Sequence, residues 1–154
     1  MTLAGEVLAS QTFDVELDAV SHVGLPLAEE IVDYADAGNE LVVATASDGA
    51  FARVIFNPAE VIGQKLAAPA EAFETVASRV DGGVELKVTA TSYVRDLFCM
   101  ADKIDAKASV DAGMVSLLPG ESVTLRIDTG SDDDPQSFAA ANVLRSANDL
   151  KREW

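Results

Sequence analysis

Few residues of this chain have the type and spacing that chemistry requires. His22 is the single histidine. Its neighbours, Val20-Ser21-His22-Val23-Gly24, place no cysteine or carboxylate at the spacing of a metal site, so His22 is read as neither base nor ligand. Cys99 is the single cysteine, and a nucleophilic thiol needs a cation or base beside it. It lies instead in the apolar run Leu97-Phe98-Cys99-Met100 and is read as a small core residue. Carboxylates are plentiful, yet the adjacent pair Glu29-Glu30 would point to opposite faces of a strand. Asp132-Asp133-Asp134 lacks the spaced oxygen ligands of a calcium loop and is read as a solvated turn. No nucleophile elbow, phosphate loop or dinucleotide fingerprint occurs. The expected catalytic, cofactor and metal sites are therefore none.

Composition narrows the partners. Twenty-six Asp and Glu against 11 Lys and Arg give a formal net charge of -15, which repels phosphate backbones and anionic bilayers. Neither nucleic acid nor a membrane is expected, and no stretch approaches the ~20 apolar residues of a membrane helix. Aromatic residues make up 6% of the chain, few for a platform on which sugars or bases would stack. Tyr34, Tyr93 and Trp154 are the candidates for such stacking. A lone cysteine excludes an intrachain disulfide and, with no signal peptide in the first residues, suggests a reducing, cytoplasmic setting.

The elements that must position these residues follow a period of two. Val7, Phe13, Val15 and Leu17 alternate with polar residues and predict a long first strand. Leu41–Ala44 and Phe51–Phe56 read as further strands, the second stopped by Asn57-Pro58. Glu74–Val80 and Val84–Ala90 flank Asp81-Gly82-Gly83, a strong hairpin signal. Val84, Leu86, Val88 and Ala90 then share one face. Ile104, Ala106, Ala108 and Val110 repeat the alternation, as do Val123, Leu125 and Ile127. Leu25–Tyr34 and Ala59–Leu66 read as short helices or loops, and Phe138–Leu150 as a last strand or short helix. Parallel α/β folds need helical stretches between strands, and these are missing. The expected fold is one all-β domain over residues 1–154, an antiparallel sandwich of about seven to nine strands.

Two segments carry more than generic pattern. Ser92-Tyr93-Val94-Arg95-Asp96-Leu97-Phe98 sets an Arg-Asp pair between apolar residues at a strand end. Val115-Ser116-Leu117-Leu118-Pro119-Gly120-Glu121-Ser122-Val123 reads as a Pro-Gly turn feeding a late strand. Together they make the chain resemble the C-terminal immunoglobulin-like domain of β-mannosidases of glycoside hydrolase family 2. Tyr93–Phe98 matches that family's Ala-Arg-Asp-Val-Phe-like strand. Leu117-Leu118-Pro119-Gly120-Glu121 matches the second half of its Asp-Asn-Tyr-Phe-x-Leu-Leu-Pro-Gly-Glu-like motif, while Ala112, Gly113 and Met114 replace the Asn-aromatic half. The resemblance is carried by motifs over roughly the second half of the chain and by pattern alone before Asn57.

The resemblance implies an immunoglobulin-like strand order and a parent enzyme that removes terminal β-mannose with retention, using two glutamates about 5–5.5 Å apart. In that family both stand on a (β/α)₈ barrel, which takes about 250 residues, so no glutamate of this chain inherits a catalytic role. It implies that the chain is one module of a larger enzyme, with the catalytic barrel and neighbouring domains as partners. Tyr93, Arg95, Asp96, Leu118, Pro119, Gly120 and Glu121 are its expected structural or interface residues. An oligosaccharide bound by this module itself, or a second copy of the chain, is the alternative partner.

Overall fold

The computed structural model describes residues 1–150. Strands dominate, and every pairing between them is antiparallel. The hairpin read from Asp81-Gly82-Gly83 is present as β3 (Phe73–Val80) and β4 (Gly83–Ala90), with Val80 facing Gly83 across a two-residue turn. Gly82 turns it at φ +73°, which glycine adopts without steric cost. Gly83 is required for a different reason. A Cβ built on it would stand 2.0 Å from the Ile127 carbonyl oxygen, because β4 lies tight against β8 (Ser122–Asp128).

A four-stranded sheet runs in the order β3-β4-β8-β6, and a three-stranded sheet in the order β7-β5-β9. Here β5 is Val94–Cys99, β6 Ser109–Val110, β7 Val115–Leu117 and β9 Leu144–Arg145. One apolar cluster draws on both sheets: Val84, Leu86, Val88, Leu125 and Ile127 from the first, Val94, Leu97, Leu117 and Leu144 from the second, with Phe138 and Val143. The alternation in β4 decides this, since its even-numbered residues from Val84 to Ala90 are all buried. Cys99 packs against the same cluster. Burial, with Asp102 adding to it, pushes its thiol up to about 11, as expected of a core sulfur rather than a nucleophile.

Before residue 66 the chain departs from its alternation. Val7–Leu17 forms no strand, and Val7, Val15 and Leu17 are exposed. Alternation specifies which face a strand would bury but provides no neighbour to pair with. The observed elements there are a ribbon of β1 (Val42–Ala44) and β2 (Val54–Phe56), the single turn of helix α1 (Glu29–Val32), and a 3₁₀ turn at Val61–Gly63. Phe51 lies outside β2 and is exposed. Glu29 and Glu30 sit exposed in the first turn of α1, not on a strand.

Ile104–Val110 is strand only at its end, in β6. A 3₁₀ turn at Ala101–Lys103 precedes the segment, and before β6 the Asp105 carboxylate closes a turn on the Lys107 amide. Phe138–Leu150 combines both readings, with 3₁₀ turns at Pro135–Ala139 and Ala147–Leu150 around β9. The acidic run ends in a cap, where Asp134 accepts from the Gln136 amide at 3.0 Å.

Candidate interface site

The residues singled out by motif lie along one seam, where the region before residue 66 meets the two sheets. A second apolar cluster fills it: Leu3, Leu41, Leu66, Tyr93 and Ala147, with Val43, Ile55, Val61 and Leu118 packed around them. Tyr93 and Leu118 thus belong to one cluster. Tyr93 is 1% exposed, so its ring cannot present a stacking face to a sugar. Its amide donates to the Leu3 carbonyl at 2.8 Å, and the Ser92 hydroxyl donates to the same oxygen at 3.1 Å. Tyr34 is half-buried. Trp154 lies outside the described residues.

Arg95 and Asp96 are the second and third residues of β5, close to its start. They occupy a bulge inside β5, between the paired residues Val94 and Leu97, and Asp96 takes a positive φ of 54°. A bulge re-aims the side chains it carries. Arg95 is sent across the seam to Gln64 Oε1 at 2.6 Å, and Gln64 Nε2 in turn donates to Asn57 Oδ1 at 2.8 Å. Asp96 turns towards β7, where its amide donates to Ser116 Oγ at 3.1 Å. The Arg95–Asp96 ion pair itself spans 3.4 Å.

The backbone of the bulge is tied down by a residue that the motifs do not include. Asn148 is fully buried. Its Oδ1 accepts from the Arg95 amide, and its Nδ2 donates to the carbonyls of Tyr93 and Ala67, all at 3.0 Å. Three backbone groups from two distant segments are satisfied by one side chain. No local pattern marks Asn148, because its partners lie 53 to 81 residues away.

The Leu118–Glu121 turn joins β7 to β8, closed by the Glu121 amide on the Leu118 carbonyl at 3.0 Å. Gly120 takes φ +85°, and Pro119 lies against Gly5. The Glu121 carboxylate accepts from the Leu118 amide at 2.8 Å and from the Arg53 guanidinium, which also reaches the Ser116 carbonyl at 3.0 Å. Partial burial by itself would raise the Glu121 carboxyl. The hydrogen bonds from Arg53 and Leu118 outweigh it and hold the group below its ordinary value. Arg53, immediately before β2, clamps the ribbon to the turn.

A second stitch joins the loops of the N-terminal region. Lys65 Nζ meets Asp36 Oδ2 at 2.6 Å, and the Lys65 amide donates to the Gly38 carbonyl at 2.7 Å. Gly38 has no room for a side chain, since a Cβ there would stand 2.6 Å from the Gly63 carbonyl oxygen.

Every charged motif side chain in the seam is engaged in holding chain segments together. Elsewhere, a shallow open concavity of about 730 Å³ is lined by Ile104–Lys107 and Asp128–Ser131. Its Asp105 carboxylate already accepts from the Lys107 amide, the Thr129 hydroxyl and the Gly130 amide. Among the described residues no group of three or more His, Cys, Asp and Glu side chains converges as a cation site. No known protein-family model matches the chain, and no curated protein matches it.

Proposed function

We propose that the chain is a non-catalytic accessory module of immunoglobulin-like sandwich type, serving a retaining β-mannosidase of glycoside hydrolase family 2. The parent enzyme hydrolyses terminal β-D-mannosyl residues on a barrel elsewhere, in a reducing, cytoplasmic setting. This module packs against that barrel and the neighbouring domains. The observation that carries the reading is the engagement of the motif residues. Tyr93, Arg95, Leu118 and Glu121 are spent on the seam, and none of them faces an open cleft. A hydrolase of this class needs two carboxyl groups about 5–5.5 Å apart around a sugar site. Glu121, the glutamate of the motif, is instead engaged by Arg53 and a backbone amide.

Calorimetric titration of the chain with mannobiose and longer manno-oligosaccharides tests the proposal. The expected result is no binding at millimolar sugar. Saturable binding lost on Tyr34→Ala, with the fold intact by circular dichroism, would replace the accessory reading with that of a carbohydrate-binding module.

A further inference from the structure

Asp-Gly occurs twice in the chain, at Asp48-Gly49 and Asp81-Gly82. The dipeptide has a chemistry of its own. The backbone nitrogen of the glycine can attack the aspartate side-chain carboxyl, because no Cβ on the following residue shields it. An N–Cγ bond forms, a C–O bond of the carboxyl breaks, and water leaves, closing a succinimide. Water then reopens the ring at either carbonyl. One opening restores aspartate. The other leaves isoaspartate, whose main chain runs through the side-chain carbons while the former backbone carbonyl becomes a free carboxylate. Water is lost and regained, and no oxidant or cofactor enters.

Exposure and backbone angle do not separate the two sites. All four residues are exposed, and both glycines take φ +73°. Restraint does separate them. Asp81 and Gly82 turn the β3–β4 hairpin, with Val80 paired to Gly83 and Gly83 paired in turn to Asp128 of β8. The Asp81 carbonyl accepts from the Arg126 guanidinium, and the Gly82 carbonyl accepts from the Thr129 amide at 3.3 Å. Ring closure must rotate the Asp81–Gly82 peptide, and these bonds oppose it.

Asp48 and Gly49 lie in the loop from β1 to β2, where residues 47–52 are all exposed. A Cβ built on Gly49 would meet nothing within 4 Å. The Gly49 amide makes one long bond, to the Ala46 carbonyl at 3.2 Å. The Asp48 carboxylate folds back on its own backbone, where Oδ1 accepts from the Ala50 amide at 2.9 Å. Such an Asx turn holds the carboxyl beside the peptide that carries the reacting nitrogen.

We propose that Asp48 is this chain's site of spontaneous isoaspartate formation, and so the carboxyl that an isoaspartyl O-methyltransferase would modify. In that second step a methyl group passes from the sulfonium of S-adenosylmethionine to the carboxylate oxygen, leaving the thioether. Isomerisation keeps the charge but adds a methylene to the main chain. It does so in a loop that joins two three-residue strands and runs on to Arg53, the residue clamped to Glu121.

The test ages the full chain at neutral pH and physiological temperature, folded and in urea. Electron-transfer fragmentation of its peptides then distinguishes isoaspartate from aspartate at each site. Methyl uptake is read with purified isoaspartyl methyltransferase and labelled S-adenosylmethionine. In the folded chain isoaspartate at Asp48 is expected to exceed that at Asp81 by about tenfold or more. In urea, where the hairpin restraint is gone, the two sites are expected to react alike. Asp48→Glu keeps the charge but must close a larger, slower ring, and is expected to remove about nine-tenths of the methyl uptake of the folded chain. Equal isoaspartate at the two sites of the folded chain overturns the proposal, and so does uptake unchanged by Asp48→Glu. An excess at Asp48 that persists undiminished in urea overturns it too, because sequence neighbours and not the fold would then select the site.

Discussion

Arg53 and Glu121 stand 68 residues apart and meet as an ion pair that fastens the N-terminal ribbon to the turn between β7 and β8. The pair is only partly shielded, with side-chain exposures of 28% and 38%. Its contribution is therefore modest. Glu121→Gln is expected to lower stability by about 1 kcal/mol, between the worth of an exposed pair and that of a charge-assisted hydrogen bond. In a double-mutant cycle with Arg53→Met, measured by urea unfolding, the two losses should not add.

The same carboxylate sets a pH dependence. Its folded-state value lies below the ordinary 4.5. The stabilisation is thus fully present above the unfolded value and is lost as pH falls through the folded one. Thermal midpoints of the native chain should fall on acidification below about 4.5. Glu121→Gln should remove part of that slope, and added salt should shrink the difference. Asp36, lowered by its hydrogen bond to Lys65, acts in the same direction and remains in the variant.

Asn148 is expected to matter more than any charged residue of the seam. Asn148→Leu would strip partners from the Arg95 amide and from the Tyr93 and Ala67 carbonyls. At about 1–3 kcal/mol for each buried group left unpaired, a loss of about 3 kcal/mol or more follows. Asn148→Asp should be no better, because an ionised carboxylate cannot donate to the two carbonyls. Chemical denaturation of both variants measures this.

Gly83→Ala tests the approach of β4 to β8. With 2.0 Å between a Cβ and the Ile127 carbonyl oxygen, the strands must separate, at a cost of about 2–4 kcal/mol. Gly130→Ala has nothing within 4 Å of its added Cβ and serves as the control, with a change within about 0.5 kcal/mol.

The parts of the fold legible in the sequence were those fixed by neighbours in the chain. Asp81-Gly82-Gly83 marks the β3–β4 hairpin because a two-residue turn sets its own register, and Val84 to Ala90 alternates because one face of β4 is core. Val7–Leu17 alternates as clearly and forms no strand, since a ladder needs a partner that alternation does not provide. The motif segments identified where the seam lies but not what holds it. Arg53, Gln64 and Asn148 act through partners 31 to 81 residues away, and their types carry no local signature. The Arg95-Asp96 pair shows the same limit: its sequence neighbours indicate a strand end, but only the register of β5 against β7 reveals the bulge there.

The most direct test of the account is β-mannoside hydrolysis by the purified chain alone, assayed with a chromogenic mannoside. The account predicts no turnover above the blank, because the accessory-module proposal sets the two reacting carboxylates on another domain. Turnover that survives repurification and disappears on substitution of a glutamate in this chain would contradict it.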